Sequence, residues 1–317
     1  MTTNRLILGT ANLGLGEGGR ADSDRTNAFA LLDTYVELGG AVIDTASVYS
    51  NWVPGEMQRS ETIIGEWMKA RGNRDHLRVV TKGAHPPLDD MSQGRCDPAS
   101  LRHDVELSLR KLQTDRIDLW FLHRDDPKIP AAEIIGPLHE MIGEGKIAAI
   151  GCSNWSLPRI REAERSGGFS ANQVLGNVLC RIMNPLSDPT NYVIDAPMFH
   201  HALNNSVELQ LYTSQAQGIF EKRAQGRAVP ANYDNPACAE AAETIEAIAK
   251  KLGLEPGQMI LAYLTGLAPN VRPVIGPRTP DQLRYSYAAG DRSLDEATIR
   301  AIAEATVMQG FLHNRGA

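Results

Sequence analysis

An α/β fold made of one parallel (β/α)8 barrel, the TIM-barrel architecture with an additional C-terminal helix, follows from three features of the sequence. Eight short apolar runs alternate with helical patterns along 317 residues. No linker-like or low-complexity segment separates one half from the other. Nearly every apolar run ends on small, polar or ionisable residues, as it does where barrel strands open onto a site. The whole chain, 1–317, is therefore expected to be a single barrel domain, although a length prior of about 150 residues per domain allows two. An open doubly wound sheet of two lobes is the alternative.

Each element has its own reason. The run RLILG (5–9) reads as the first strand. NAFALLDTYVELG spaces Phe29, Leu32, Tyr35, Val36 and Leu38 near one helix face and stops at Gly39-Gly40. AVID is the second strand, SETIIGEWMKARG its helix and LRVVTK the third strand. Asp97-Pro98 offers an N-cap and a first-turn proline to a helix with Leu101, Val105, Leu109 and Leu112 on one side. RIDLWFLH is the fourth strand, IPAAEIIGPLHEMIGEGK its helix, IAAIGCSN the fifth strand and SLPRIREAERSG its helix. ANQV is the sixth strand, and TNYVIDAPMFHHAL is expected to be helical. VELQLY is the seventh strand, followed by a long loop over 213 to 237. ACAEAAETIEAIAKKLG and GQMILAYLTGLA are helices, VRPVIG is the eighth strand, TPDQLRYSYAAG its helix and SLDEATIRAIAEATVM the extra one.

Hydrophobic residues make up 42% and charged residues 22%, with a net charge of −6 and no long run of one sign. That balance argues against a general nucleic-acid or anionic-membrane surface. No apolar stretch approaches the roughly 18 residues of a membrane span. The N-terminal MTTNRLILGT lacks a charged leader with an extended apolar core. Cys96, Cys152, Cys180 and Cys238 are widely separated and form no CxxC, so free thiols are expected and neither a disulfide frame nor a metal site. The expectation is a cytoplasmic protein acting on a small molecule, with no nucleic-acid or membrane partner. The sequence sets no oligomeric state.

Read in order, the strand ends carry Gly9-Thr10, Asp44, Lys82, His123, Ser153-Asn154, Gln173, Tyr212 and Gly276-Pro277-Arg278. Strands end at polar loops in any protein, but turn chemistry alone does not ask for Asp, Lys and His at three successive ends. With Tyr49, five residues beyond Asp44, they form a coherent group. A phenol has an ordinary pKa of about 10, too high for easy proton donation at neutral pH. A nearby ammonium stabilises the phenolate, and a carboxylate holds the ammonium charged and oriented. An imidazole can hydrogen-bond a substrate oxygen. Such a group suits protonation of an oxygen whose carbon receives a hydride. Singly, Asp44 reads as a helix cap, Lys82 as a solvated strand end and His123 as a satisfied polar residue. Their joint placement favours chemistry.

The strings DTASVY, VVTKG, DLWFLHRDD, GKIAAIGCSNW and VIGPRTPDQL resemble the successive signatures of the aldo-keto reductases, in that family's order, from Leu6 to about Ala289. The resemblance implies that Tyr49 is the general acid, that Lys82 lowers its pKa, that Asp44 supports Lys82 and that His123 orients the carbonyl. It implies a nicotinamide cofactor, NADPH (NADP), bound without a Rossmann domain. Ser153, Asn154 and Gln173 match the positions that hold the nicotinamide carboxamide, and Tyr212 matches the stacking aromatic. Gly276, Arg278 and Gln282 match the adenosine segment, and Gly9, Thr10, Asp44, Gln215 and Gly218 complete the expected cofactor set. Thr213-Ser214-Gln215 stands where the family usually has Ser-Pro-Leu, and Ser286 where an asparagine is common. Arg278 precedes a helix whose N-terminal amides also favour a phosphate, which implies a preference for NADPH over NADH.

Two competing signals are weaker. Gly14, Gly16 and Gly19 spell G-x-G-x-x-G, but a polar stretch follows before any helix begins, unlike a dinucleotide-binding turn. His200 and His201 lack metal-ligand spacing and read as surface or packing residues. Trp52, Arg124, Asp125, Asp126 and Trp155 are the candidate substrate residues. Carboxylate and guanidinium groups with indole faces suit a polyhydroxylated carbonyl such as a keto-sugar or sugar aldehyde. A solvated or internally paired loop at Arg124, Asp125 and Asp126, with tryptophans that only shield the site, is the competing reading. The alternative function class is a cofactor-sensing regulatory subunit with slow or no turnover.

Overall fold

The structure, a computed structural model, describes residues 4–15, 25–53 and 57–312. Its strands are β1 (Ile7–Gly9), β2 (Val42–Asp44), β3 (Arg78–Gly83), β4 (Leu119–Leu122), β5 (Ile150–Ser153), β6 (Ala171–Leu175), β7 (Glu208–Tyr212) and β8 (Val271–Ile275). They form a closed barrel in the order β1 to β8, parallel at β1–β2, β2–β3, β3–β4, β4–β5 and β7–β8. The helices are α1 (Thr26–Glu37), α2 (Arg59–Arg71), α3 (Pro98–Leu112), α4 (Ala131–Gly143), α5 (Leu157–Glu164), α6 (Ala196–Asn204), α7 (Ile219–Ala224), α8 (Pro236–Leu252), α9 (Pro256–Leu267), α10 (Pro280–Tyr287) and α11 (Glu296–Ala305). The fold class expected from the sequence is the one observed, and α11 is the additional C-terminal helix.

The chain divides into two compact units. One comprises Ile7–Asn172 and Gly276–Leu283. Within it, strand register decides which side chains meet. Asp44 on β2 pairs with Val80 on β3, and side chains alternate faces along a strand. Lys82, two residues past Val80, therefore shares its face. Lys82 pairs with Phe121 on β4, and His123 lies two residues further on. Across these two junctions the side chain of interest advances by two residues at each step, in the direction of the strand stagger found in closed barrels. Beneath these ends Val80, Leu119, Phe121 and Ala171 form an apolar core. Outside the strands, α3 begins as expected, with Asp97 accepting from the Ala99 and Ser100 amides and Pro98 in the first turn. Its buried stripe is Leu101, Asp104, Val105, Ser108 and Leu112. Phe29 on α1 is stacked beneath the Arg71 guanidinium at 5.7 Å, and Leu38 is 37% exposed, so the buried face of α1 is rotated from the expected one.

The other unit comprises Met1–Leu6, Gln173–Ile275 and Arg284–Ala317. Here α9 is buried on nearly every position, consistent with the apolar run over 259–264 at its centre. Two expectations change. The helix expected over 190–203 is confined to Ala196–Asn204. Upstream, the Asp188 carboxylate accepts from the Thr190 amide and hydroxyl, and Asp195 caps the Met198 amide at 2.8 Å; these local bonds compete with helix formation. The long loop over 213 to 237 contains α7 and two short 3₁₀ turns, Ala216–Gly218 and Ala231–Tyr233. With only Ile219 and Phe220 buried, α7 is too short to leave a periodic signature. All four cysteines are free and buried. No helix among the described residues is long and apolar enough to cross a membrane.

Candidate active site

Lys82 is the hub of the site. Its ammonium is fully buried and donates to both carboxylate oxygens of Asp44, at 2.7 and 2.8 Å. It also donates to the Thr45 carbonyl at 2.9 Å and to the Tyr49 hydroxyl at 2.9 Å, and lies 4.7 Å from the Tyr49 ring centroid. Thr10 locks β1 against β2, since its amide and hydroxyl both donate to the Asp44 carbonyl, and the Ser60 hydroxyl donates back to Thr10 at 2.9 Å. Buried ammonium groups tend to lose their proton. Burial pulls Lys82 down, but Asp44 and Tyr49 together hold its pKa above the ordinary lysine value. The cation is therefore retained in a fully buried position.

Tyr49 is half-buried as a residue, but its hydroxyl is surrounded by packed groups. That desolvation raises the phenol above its ordinary value, with Asp44 adding to the rise. The lowering expected from Lys82 is present, by charge and by hydrogen bond, and is outweighed. The phenol is thus protonated at neutral pH, the state a proton donor needs. His123 is held well below the ordinary imidazole value by burial, and next by Arg124, His85 and Lys82. A neutral ring has one N–H. Among the described residues its Nδ1 is buried without a hydrogen-bond partner, and the tautomer protonated on Nε2 avoids burying an unpaired N–H there. The ring stands edge-on to Tyr49 at 5.9 Å and to His85 at 4.8 Å.

His85 was not among the residues singled out in the sequence, although it stands only three positions beyond Lys82. Its Nδ1 lies 2.6 Å from the Pro86 carbonyl, which accepts only, so Nδ1 is the protonated nitrogen in the neutral ring. The turn that carries it is tightly fixed. Ala84 has φ 56°, a costly conformation for a residue with a Cβ, and its amide donates to Asp104 Oδ2 at 2.8 Å. A Cβ at Gly83 would lie 2.5 Å from Trp120 and 2.9 Å from Asp104, so only glycine fits there. Ser50, Asn154 and Thr213 also have positive φ, which places unusual backbone just beyond β2, β5 and β7 as well.

The remaining candidates are spread over β1, β5, β6, β7 and the segments that follow β7 and β8. Ser153 and Asn154 are buried at the end of β5, and Asn154 Nδ2 donates to Ser153 Oγ at 3.1 Å. Gln173, on β6, donates to Gln210 at 2.8 Å. Tyr212, at the end of β7, donates to Asn191 at 3.3 Å. Gln215 donates to Ser286 Oγ at 3.1 Å, so two positions that depart from the family pattern bond to each other. Gly218 has φ 72° and precedes α7. After β8, Gly276, Arg278 and Gln282 are exposed, and the Arg278 amide donates to the Gln282 side chain at 2.8 Å. Gly9 ends β1 opposite Asp44. Gly14 is followed by Gly16 and Gly19, which lie outside the described residues, and α1 does not begin until Thr26. His200 contacts the Gly310 carbonyl at 2.7 Å, in keeping with a packing role.

The candidate substrate residues separate. Trp52 is 51% exposed and Trp155 wholly buried, edge-packed on Phe169 at 5.1 Å. Asp125 faces Arg159, whose Nε donates to both of its oxygens at 3.1 Å. Asp126 is buried and accepts from the Lys128 amide at 3.2 Å. Arg124 is buried and donates to the His123 carbonyl at 2.9 Å. Asp125 and Trp155 therefore follow the internally paired reading, because a charged partner and apolar packing claim them first. Among the described residues no cluster of His, Cys, Asp or Glu could hold a metal ion.

Known proteins share this arrangement of sequence. The chain is 30% identical over 316 residues to norsolorinic acid reductase stcV of Emericella nidulans, covering 94% of this chain and 77% of that one. It is 28% identical to an aryl-alcohol dehydrogenase [NADP(+)] of Phanerodontia chrysosporium, covering 87% and 75%. Among solved structures, an aldo/keto reductase from Klebsiella pneumoniae in complex with NADP and acetate superposes with a TM-score of 0.71 at 22% identity, covering 95% and 90%, which establishes the likeness of fold. The model of the Aldo/keto reductase family matches residues 5–306, and the chain belongs to that family.

Proposed function

We propose that the protein is an NADPH-dependent carbonyl reductase that converts an aldehyde or ketone to an alcohol, with Tyr49 as proton donor. The observation that carries this reading is the single ammonium, Lys82, bridging the Asp44 carboxylate and the Tyr49 hydroxyl. A reduced nicotinamide, when bound, supplies the hydride. Each unit carries groups suited to such a cofactor: Ser153 and Asn154 in one offer a buried hydroxyl and amide, and in the other Gln173 offers a buried amide and Tyr212 an aromatic face. Near Gly276 an added Cβ would meet nothing within 4 Å, which leaves room for close approach, and Arg278 offers a planar fork of donors to a phosphate.

The chain's own residues do the rest. His123 donates from Nε2 to the carbonyl oxygen and fixes its direction. Tyr49 gives its proton to the same oxygen as negative charge develops there, and Lys82 stabilises the phenolate left behind. Asp44 keeps Lys82 charged while it does so. For the substrate, an aromatic aldehyde or ketone is favoured over the polyhydroxylated carbonyl expected from the sequence. The hydroxyl-reading role called on Trp52, Arg124, Asp125, Asp126 and Trp155, and of these Asp125 and Trp155 are engaged elsewhere. The loops beyond β2 and β3 instead present exposed Trp52, Met57 and Leu88. An aryl-alcohol dehydrogenase among the relatives points the same way.

The test is a screen of aromatic aldehydes, ketones and keto-sugars while following NADPH absorbance, with Tyr49→Phe alongside. The variant is expected to bind cofactor normally and to lose about 10²–10⁴-fold in kcat. Near-normal turnover by Tyr49→Phe defeats the assignment. Cofactor binding with no turnover of any carbonyl favours the sensing alternative.

A further inference from the structure

We propose that Arg159, on α5 and outside the strand-end group, is the residue that positions His123, by clamping the loop that runs from β4 to α4. The inference rests on the role given to His123 above. An imidazole in an active site is commonly aimed by a hydrogen bond to its second nitrogen. Among the described residues His123 Nδ1 has no such partner. Its ring direction is therefore set by its backbone, by the loop that follows and by its edge contacts with Tyr49 and His85.

That loop is gripped almost residue by residue. The His123 amide donates to the Gly83 carbonyl at 2.9 Å. Arg159 Nε donates to both Asp125 oxygens at 3.1 Å. Its Nη2 donates to the carbonyl of Asp126 at 3.2 Å and to that of Ile129. Its Nη1 donates to Glu162 Oε2 at 2.8 Å, and Glu162 Oε1 accepts from the Ala131 amide at 2.9 Å, the first residue of α4. The guanidinium itself is buried against the Trp155 ring, 5.1 Å from its centroid. On the other side, Cys96 donates to the Arg124 carbonyl at 3.6 Å, and the Gly94 backbone packs so closely on the Asp126 carboxylate that a Cβ would collide with it. Two walls thus hold the segment immediately after His123, and Arg159 supplies most of one.

The choice of arginine matters. Four of its N–H directions are used at once, on one carboxylate, two carbonyls and a second carboxylate. A lysine presents a compact charge that can hold Asp125 but cannot reach both carbonyls in the same plane. Arg159→Lys should keep the ion pair and lose the loop's register. Catalytic geometry is steep, and a misplacement of about 1 Å costs on the order of 10²-fold in rate.

The experiment uses the full chain with NADPH and whichever carbonyl the screen finds. Arg159→Ala, Arg159→Lys and His123→Ala are compared with the Arg159→Ala/His123→Ala double variant. Arg159→Ala is expected to lower kcat by about 10- to 100-fold while leaving the NADPH dissociation constant unchanged, with Arg159→Lys intermediate. In the His123→Ala background the same change should cost almost nothing further, because two residues that act as a unit are not additive. A folded Arg159→Ala enzyme with native kcat overturns the proposal. So does a full additional loss in the double variant, which would show that Arg159 acts elsewhere. Should Arg159→Ala fail to fold, Arg159→Lys and Asp125→Asn decide on the same two criteria. A native protein that reduces no carbonyl defeats the underlying reading instead, a result distinct from native turnover with an indifferent Arg159.

Discussion

Replacing Asp44 by asparagine removes one charge and almost no volume, and the structure says what that should cost. Lys82 donates to two Asp44 oxygens, one carbonyl and one phenol, with none of its side chain exposed. The variant leaves a buried ammonium with neutral partners only. Breaking a buried pair from one side typically costs about 3–5 kcal/mol. In the native protein the folded lysine pKa lies above its ordinary value, so the pair's stabilisation is complete at neutral pH and is lost only as pH rises through that raised value. In Asp44→Asn the largest raising influence is gone and burial dominates, so the folded pKa drops below the unfolded one. The destabilisation should then be greatest near pH 7 and shrink as pH rises and the lysine sheds its proton in the folded state. Urea unfolding at pH 7 and pH 9.5 measures this. Turnover should fall by about 10²-fold, the low end of what general acid catalysis supplies, because a lysine that no longer has its carboxylate partner is held less firmly in place and gives up its proton more readily beside the phenolate. Native stability at pH 7 with an unchanged pH dependence would refute the argument that Asp44 keeps Lys82 charged.

Two further expectations concern groups away from that pair. Glu61 is fully buried behind β3, accepts from Thr81 at 2.6 Å and is pushed by burial from 4.5 up to about 7; stability should fall as pH rises from about 4.5 to 7, by at most about 3 kcal/mol at 1.36 per unit. Glu61→Gln should abolish that fall, and identical denaturation midpoints for both proteins at pH 5 and pH 8 would count against it. Arg278→Ala should raise KM for NADPH and leave that for NADH unchanged, since a fork of donors serves a phosphate that only one of them has; equal use of both cofactors by native and variant enzymes would rule the preference out.

How much of this was readable in the sequence depends on what kind of fact each residue expresses. Asp44, Lys82 and His123 were legible because strand ends are, and a strand end marks a place. The alternation of apolar and helical runs fixed the order of those places around a barrel. Partnership was not legible. Asp125 reads in sequence either as a hydroxyl-binding carboxylate or as part of a solvated or internally paired loop, and only the fold shows that Arg159, 34 positions away, occupies both of its oxygens. Trp155 reads as an aromatic at the mouth, yet Phe169 and the Arg159 guanidinium cover it. His85 was missed for a related reason: a histidine after a strand is common, and only the fold brings its ring to 4.8 Å from His123. The short α7 escaped because six residues with two buried side chains carry no period.

The electrostatics of the site follow from one circumstance, burial, acting on groups of opposite character. Desolvation disfavours the charged form of each group. For His123 nothing opposes it, and Arg124, His85 and Lys82 reinforce it, so the ring is neutral and keeps one N–H to offer. For Tyr49 desolvation outweighs the pull of Lys82, so the phenol keeps its proton. For Lys82 alone the balance is reversed, because Asp44 lies within 2.8 Å through both oxygens. The same dry environment therefore yields a neutral donor, a protonated acid and a retained cation at one pH. What separates the three is the placement of a single carboxylate, and that placement is set by β2–β3 register: Asp44 opposite Val80, Lys82 two residues on. A slip of one residue would turn Lys82 to the opposite face of the strand. The buried cation would then lose its partner, and burial would take its charge as it takes that of His123.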